Sequence, residues 1–338
     1  MGQTSLPPQP PAPYYPLKDD PNDPGPGWWF KGLSGEECER VTLYQHALLC
    51  PIIIGDILSG PDLLSKDSKQ CSFKIIGKLG YGSYSTVWLG QDLYGERCLV
   101  IKVLRFEVST LDNSEMRILR KLGKLRVAFF QQHNDRKYLC LGLDPLGPSL
   151  RIRMETDIQL PSNLATILQS MEILAKKVSA LHQQRICHGD ISHCNVAFDL
   201  HNDAFTDEAL KISFQDDTRF RFVFTGSAEE PALPPGLPKY IISNGYTALL
   251  GDGTDLSKIE LLDFGKAFEG FSKDNALGTE PYLALEMHGE TGGHASDKSD
   301  IWSLGCVLCY ALTDFYFLER KEFQIKYSGI ALSLSLNF

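Results

Sequence analysis

The spacing of apolar and polar positions divides the chain into a strand-rich first part and a mainly helical second part. From Phe73 to Val103, β-branched and aromatic residues alternate with polar ones around turn signals at Gly80–Gly82 and Tyr94–Gly95, which predicts consecutive antiparallel strands. Beyond Leu150 the apolar period becomes helical, most clearly over Leu164–His182. This order predicts an α+β fold with a β-rich lobe before a helical lobe.

Two shorter segments complete the pattern of the first part. Residues 112–122 place Met116, Leu119 and Leu122 at helical spacing, with Asp112 as the expected N-cap, so a helix is predicted after the strands. Lys137–Leu143 predicts one more strand.

Changes in composition predict the domain boundaries. The first 27 residues are crowded with proline, glycine and aspartate, and they hold too little apolar surface to offset the entropy of ordering. A charged, proline-rich stretch at about 202–257 predicts an insertion looped out of the second lobe. The expected organisation is a disordered Pro-rich tail, an N-terminal extension, a first lobe, a second lobe carrying the insertion, and an atypical C-terminal tail, at 1–27, 28–72, 73–146, 147–317 and 318–338.

Net charge and cysteine usage limit the partners and the environment of the chain. A formal charge of −9 argues against binding nucleic acid through a general basic surface and favours basic peptides as partners. The nine cysteines are irregularly spaced with no secretory leader before them, which predicts reduced thiols in the cytoplasm or nucleus. The Cys306 and Cys309 pair lies in an apolar run, so we expect core packing rather than metal binding. The apolar stretches are shorter than the about 20 residues that span a bilayer, so no membrane partner is expected, and no pattern specifies an oligomeric state.

A glycine-rich segment is the first candidate for chemistry. It follows one predicted strand and leads into another, whereas a dinucleotide-binding fingerprint would open a helix. Glycines at positions 80 and 82 allow backbone N–H groups to approach phosphate oxygens, and Val87 can cap a base. The alternative is an ordinary hairpin. The candidate nucleotide-binding residues here are Leu79, Gly80, Tyr81, Gly82, Ser83, Tyr84, Ser85, Thr86 and Val87.

Lys102 is the single cation of the hydrophobic strand that follows, and a lysine buried in a sheet requires anionic partners. ATP phosphates would supply them, and Glu115 on the next predicted helix would hold Lys102 as an ion pair, with Glu107 as the second choice. The alternative is a solvated lysine at the end of a strand.

Three acid or amide side chains are candidates for proton and metal chemistry. Asp190 and Asn195 lie five residues apart after a predicted helix, so that Asp190 can accept a hydroxyl proton while the Asn195 carbonyl oxygen binds Mg²⁺. Asp263, at a predicted strand end before Phe264 and Gly265, supplies a second Mg²⁺ ligand. The alternative is a structural loop at each position.

The glycine-rich segment, the strand lysine, the Asp190 loop and Asp263 follow one another in the order seen in protein kinases. The resemblance covers about residues 73–312. The segment Gly278–Glu286 is similar to the end of a kinase activation segment, with Ala-Leu-Glu replacing Ala-Pro-Glu, and Asp300–Gly305 resembles the helix whose aspartate braces the catalytic loop. The resemblance implies a two-lobed kinase fold and Mg²⁺–ATP bound between the lobes, with the backbone of Asp144 and Leu146 at the adenine edge. It also implies Asp190, Lys102, Glu115, Asn195 and Asp263 as catalytic residues and a protein Ser or Thr hydroxyl as acceptor.

Within the kinases, the chain is most similar to the SR-protein kinases, especially those of fungi. Ser85 replaces the third glycine of the loop, as in that group, and Ile54–Asp56 and Leu146–Leu150 also resemble their segments. The insertion falls where these kinases carry a spacer. The resemblance implies Arg/Ser-rich protein substrates.

Three departures from the kinase pattern bear on activity. Ser192 stands where a lysine would neutralise the transferring phosphoryl group, and Gly189 replaces an arginine. Val100 replaces a smaller alanine that lines the adenine pocket, so the resemblance implies Val100 as a nucleotide-binding residue. We also expect a C-terminally truncated second lobe, because residues 318–338 resemble none of the later kinase helices. A weak or inactive nucleotide-binding relative is therefore one alternative. A small-molecule phosphotransferase is another, suggested by the triplet His188-Gly189-Asp190.

Overall fold

The computed structural model describes residues 38–95, 97–155, 164–200, 221–223, 236–242, 254–270, 278–287 and 293–313. The predicted tails at 1–27 and 318–338 and most of the predicted insertion lie outside these ranges. The chain divides into two compact units. The first comprises residues up to Asn113, Gly123–Pro145 and Thr206–Tyr246, and the second comprises Ser114–Leu122, Leu146–Phe205 and the residues from Thr247 onward.

A six-stranded antiparallel sheet forms the first unit, in the order β1-β2-β3-β4-β6-β5. The strands are β1 Ile57–Pro61, β2 Gln70–Gly82, β3 Ser85–Asp92, β4 Cys98–Leu104, β5 Leu125–His133 and β6 Arg136–Leu143. The alternating apolar positions bury Phe73, Ile75 and Ile101, and the Phe73 ring stacks on Phe129 at 5.9 Å between centroids. Because one face of each strand is apolar, the sheet buries a continuous core.

The strands predicted between residues 73 and 103 and at 137–143 are present, and the sheet extends beyond them. Strand β1 lies upstream of Phe73, within the predicted N-terminal extension. Strand β5 was not predicted, because its polar C-terminal half breaks the apolar alternation. A short 3₁₀ turn, Phe106–Val108, follows β4.

Two chain segments distant in sequence complete the core of the first unit. Helix α1 (Val41–Gln45) follows Cys38, and two short strands, β9 (Arg221–Val223) and β10 (Tyr240–Ile242), pair with each other. A cluster of Cys38, Tyr44, Leu49 and Ile241 is buried where these segments meet, and Ile242 joins the sheet core. The segment that carries β10 was predicted to loop out, whereas its last strand packs in the core of the first unit.

A buried lysine on β2, the strand that leads into the glycine-rich hairpin, contacts both of these segments. Lys78 of β2 is fully buried and forms an ion pair with Glu39, and its Nζ donates to the carbonyl oxygen of Ile242 at 2.7 Å. The hydroxyl of Tyr44 donates to the other carboxylate oxygen of Glu39 at 2.5 Å. Burial, and then the Glu39 charge, raise the pKa of Tyr44, so it remains a donor. We call these four residues the Lys78 cluster.

The second unit is mainly helical. Its helices are α2 Ser114–Lys121, α3 Leu150–Glu155, α4 Leu164–Gln183 and α5 Asp297–Thr313. Its strands form two pairs, β7 Ile186–Cys187 with β12 Phe268–Glu269, and β8 Val196–Leu200 with β11 Thr254–Leu261. Helix α4 packs on β11 and α5, so the apolar face predicted for it meets a core. Helix α2 begins at Ser114, so Asn113 rather than Asp112 directly precedes it.

The cysteines are thiols in the structure. All nine belong to the described residues, and no disulfide joins any of them there. Cys306 on α5 is buried, and burial raises its pKa to about 12, which confirms its prediction as a core residue. No helix among the described residues is long and apolar enough to cross a membrane.

Removing the Lys78 cation should destabilise the first unit. Lys78→Met leaves the Glu39 carboxylate buried without its cation, which costs about 3–5 kcal/mol of unfolding free energy. In Lys78→Met/Glu39→Gln both charges are removed while the amide oxygen still accepts from Tyr44, so we expect a smaller loss. Urea unfolding of the full chain measures both values. The control is Lys74→Met, an exposed lysine of the same strand, and equal stability of Lys74→Met and Lys78→Met would contradict this prediction.

Candidate active site

In the first unit, the glycine-rich segment is the hairpin between β2 and β3. Gly80 is paired with Val87 and Gly82 with Ser85, so Ser83 and Tyr84 form the two-residue turn. Nothing lies closer than 3.9 Å to the place of a Cβ on Gly82, which leaves its backbone open to a ligand. The predicted hairpin is therefore present, and its binding of phosphate stays a prediction.

The side chains of the hairpin differ in exposure. Tyr84 at the turn is 56% exposed, and the Arg105 guanidinium lies 5.6 Å from its ring centroid. Ser85 and Thr86 are buried, and the Thr86 hydroxyl accepts from the Trp88 indole N–H at 2.9 Å. Of these predicted nucleotide-binding residues, Ser85 and Thr86 therefore offer backbone groups rather than hydroxyls.

Lys102 shares one face of the sheet with two predicted base contacts. It lies directly opposite Val87, and Val100 lies opposite Leu89. Because residues two apart on a strand and cross-strand partners project to the same side, Val87, Val100 and Lys102 form one surface. Lys102 is only 7% exposed, as predicted for a buried lysine, and its role in nucleotide binding stays a prediction.

The predicted helix partner of Lys102 is also buried. Glu115 in the first turn of α2 is 4% exposed, whereas Glu107 is exposed in its 3₁₀ turn. A buried carboxylate requires a cation or donors, so burial favours Glu115 over Glu107. Lys102 and Glu115 belong to different units, and their pairing stays a prediction.

The predicted adenine edge coincides with the division between the units. Asp144 lies one residue before the end of the first unit's Gly123–Pro145 segment, and Leu146 begins the next segment of the second unit. The Asp144 carboxylate accepts from Arg126 Nε at 2.8 Å, so its side chain is engaged. The contact of the Asp144 and Leu146 backbone with adenine stays a prediction.

In the second unit, one aspartate holds the catalytic loop. Asp300 on α5 is 2% exposed and accepts from the backbone N–H of His188 at 2.7 Å and of Gly189 at 2.9 Å. The His182 ring of α4 lies 3.0 Å from the same carboxylate. These contacts fix the loop immediately before Asp190.

A second set of contacts joins this loop to the segment after β11. The His188 Nε2 atom lies 2.9 Å from the Leu262 carbonyl oxygen, and its ring packs on the buried Phe264 at 4.9 Å between centroids. The Leu262 N–H donates to the Asn195 carbonyl oxygen at 2.8 Å. The residues on either side of Asp263 are therefore anchored to the loop that contains Asn195.

The two predicted Mg²⁺ ligands fit a hard cation. The Asn195 amide nitrogen donates to the Asp190 carbonyl oxygen at 2.9 Å, which leaves the side-chain oxygen of Asn195 as its acceptor end. Asp263 is exposed in a left-handed conformation with φ of 54°, and one carboxylate oxygen accepts from Gly265 N–H at 3.1 Å. Mg²⁺ prefers such oxygens, with water completing its shell. The ligand role itself stays a prediction.

Asp190 receives two contacts that the sequence analysis did not identify. The Thr279 hydroxyl lies 2.6 Å from Oδ1, and the Lys266 ammonium lies 3.2 Å from Oδ2. Lys266 also donates to the Gly278 carbonyl oxygen at 3.0 Å. Lys266 directly follows Gly265 in sequence, but no local pattern indicates which carboxylate a lysine will reach.

The two departures in the catalytic loop have structural consequences. Ser192 is 1% exposed, and its hydroxyl has no hydrogen-bond partner within the described part of the chain. Gly189 has a φ of +75°, and the Lys266 carbonyl oxygen lies 2.6 Å from where its Cβ would be. A larger residue at 189 would therefore displace the backbone of Lys266.

Comparison with known proteins identifies the architecture. A crystal structure of a kinase domain superposes with a TM-score of 0.50 at 21% identity, over 82% of this chain and 71% of that chain. The chain has a protein-kinase fold. This confirms the predicted two-lobed α+β class, with its β-rich first unit and mainly helical second unit.

Sequence relatives of this kinase-fold chain carry matching names. Serine/threonine protein kinases from two Aspergillus fumigatus strains are each 24% identical over 298 residues, covering 84% of this chain and 66% of theirs. The chain thus spans slightly less than two thirds of those relatives. The serine/threonine-protein kinase PknA of Corynebacterium glutamicum is 30% identical over 158 residues, 41% of this chain and 33% of that protein. No protein-family model matches the chain. These similarities support a relationship of the chain to the protein kinase superfamily.

Removing the Asp300 carboxylate should loosen the catalytic loop. Asp300→Ala leaves the buried N–H groups of His188 and Gly189 without their acceptors, which costs about 1–3 kcal/mol for each. We expect faster hydrogen exchange at these two amides, measured by mass spectrometry or NMR. Asp297→Ala, at an exposed position of the same helix, is the control. Unchanged exchange at both amides in Asp300→Ala would show that other contacts hold the loop.

Proposed function

We propose that the protein is a serine/threonine protein kinase that transfers the γ-phosphoryl group of ATP to a protein hydroxyl. The arrangement around Asp190 carries this proposal. Its carboxylate is buried and held by a hydroxyl and an ammonium, and the Asn195 amide bonds to its backbone. In a kinase fold, this is the arrangement of a positioned general base beside metal ligands.

The first unit would supply the contacts to ATP. The open backbone of the Gly80–Val87 hairpin suits phosphate oxygens, and the buried Lys102 supplies a cation for them. Val87 and Val100, on the same face as Lys102, offer an apolar surface to the base. The backbone of Asp144 and Leu146 would take the hydrogen bonds of the adenine edge.

The second unit would supply the metal ligands and the base. Bound Mg²⁺ would neutralise charge on the β- and γ-phosphates, held by the Asn195 side-chain oxygen and the Asp263 carboxylate. Asp190 accepts the proton of the acceptor hydroxyl. The hydroxyl oxygen bonds to the γ-phosphorus as the bond from this phosphorus to the ADP oxygen breaks. Each carboxylate oxygen of Asp190 has more than one lone pair, so its contacts to Thr279 and Lys266 leave capacity for that proton.

For the substrate, we propose Arg/Ser-rich proteins. The resemblance of the hairpin and of residues 146–150 to SR-protein kinases supports this class. The net charge of −9 also suits basic peptides through long-range attraction. The curated relatives are named serine/threonine kinases, which supports a hydroxyl of Ser or Thr as the acceptor.

A second candidate is a nucleotide-binding protein without phosphoryl transfer. The buried Ser192, in the place of a charge-stabilising lysine, favours it. Losing one such group typically costs about 10²–10³ in rate, whereas a general base contributes about 10²–10⁴. These magnitudes favour a slow enzyme over an inactive one.

Asp190→Asn should abolish phosphoryl transfer while ATP binding persists. The amide cannot take the hydroxyl proton, and it has nearly the same size as the carboxylate. The full chain is assayed with Mg²⁺ and radiolabelled ATP on arginine–serine and on generic basic peptides, and ATP affinity is measured by calorimetry. Asp297→Asn, at an exposed site of α5, is the matched control. Binding of ATP without transfer to any peptide in the wild type would select the second candidate, and no ATP binding by the folded protein would reject both.

A further inference from the structure

Lys266 places a positive charge next to Asp190, whereas the neutral Ser192 does not. Lys266 Nζ lies 3.2 Å from Asp190 Oδ2 and donates to the Gly278 carbonyl oxygen at 3.0 Å. A lysine ammonium has three donors. These two contacts account for two of them, and within the described residues no further partner of Lys266 is found. The side chain is 31% exposed, so the remaining N–H has access to solvent or to a substrate.

From this geometry, we infer that Lys266 is a catalytic residue that contacts the transferring phosphoryl group. The inference rests on the proposed function and adds a charge that the loop lacks at Ser192. During transfer, the acceptor oxygen bonds to phosphorus while its proton moves to Asp190, and ADP leaves with the electrons of the broken phosphorus–oxygen bond. A cation 3.2 Å from the proposed base would lie beside the phosphoryl oxygens on which negative charge is spread during transfer.

The backbone around Lys266 is fixed, which distinguishes it from a mobile surface lysine. It ends the 3₁₀ turn Phe264–Lys266, and that turn is anchored because the buried Phe264 packs on His188. The Lys266 carbonyl oxygen lies where a Cβ of residue 189 would be, so Gly189 allows this close approach. Gly189 and the backbone of residue 266 are thus parts of one close contact.

Ser192 cannot perform this role in the observed loop. Its side chain is 1% exposed, its hydroxyl is neutral, and no hydrogen-bond partner for it lies in the described ranges. Lys266 contacts Asp190 from the segment after β11, whereas Ser192 lies two residues after Asp190 in the same loop. One positive charge beside the base is thereby retained.

The test separates the charge of Lys266 from its packing. Lys266→Met removes the charge and the donors, and Lys266→Gln removes the charge but keeps a donor for Gly278. We expect kcat to fall about 10²–10³-fold in both variants, with the affinity for ATP and the melting temperature close to those of the wild type. Lys266→Arg keeps the charge and should lose less. Lys298→Met, at an exposed position of α5, is the control and should match the wild type.

The outcomes distinguish this inference from the proposed function. If the wild type is active and Lys266→Gln matches Lys298→Met, or is faster than the wild type, Lys266 is not catalytic and the kinase proposal stands.

If the wild type is inactive, the kinase proposal fails. Binding of Mg²⁺–ADP with aluminium fluoride, which mimics the phosphoryl group, then decides the role of Lys266. Tightening of ADP binding by aluminium fluoride in the wild type but not in Lys266→Gln supports the inference, and equal tightening or none in both overturns it.

Discussion

The loop before Asp190 depends on the carboxylate of Asp300, which is buried and accepts hydrogen bonds from two backbone N–H groups of that loop. Because these donors belong to His188 and Gly189, the loop cannot change shape without leaving them or the carboxylate unpaired. The position of Asp190 follows from this constraint, and His188 extends it through its ring to Phe264. Asp190 and the turn that carries Asp263 and Lys266 are therefore held by one connected set of contacts.

In the first unit, a buried cation rather than a buried carboxylate connects separate segments of the chain. Lys78 is fully buried one residue before Leu79, and its partners Glu39 and Ile242 come from segments far away in sequence. A buried ion pair adds little net stability compared with apolar packing, but it allows few alternative pairings. The cluster therefore defines which segments cover this end of β2, next to the hairpin proposed to bind phosphate.

Local patterns explain which parts were predictable. Strands β2, β3 and β4 and helix α4 have strong apolar periods, and the glycines of the hairpin mark its turn, so these elements could be read from the sequence. The contacts of Lys78 with Ile242 and of Lys266 with Asp190 could not, because charged side chains find partners through the tertiary fold. Ser192 was recognised as a departure, but its burial and the contact of Lys266 with Asp190 depend on the tertiary structure.

The Lys78 cluster also has a consequence for biosynthesis. The carbonyl oxygen that Lys78 contacts belongs to a residue 164 positions later in the chain. At roughly 5–20 residues per second, the ribosome needs on the order of ten seconds or more to make that stretch. During this interval the lysine has no access to its final acceptor, and the core around Tyr44 and Ile241 is incomplete. The bond from Lys78 to Ile242 therefore forms only after residues 188–195 have been synthesised, although β2 is encoded first.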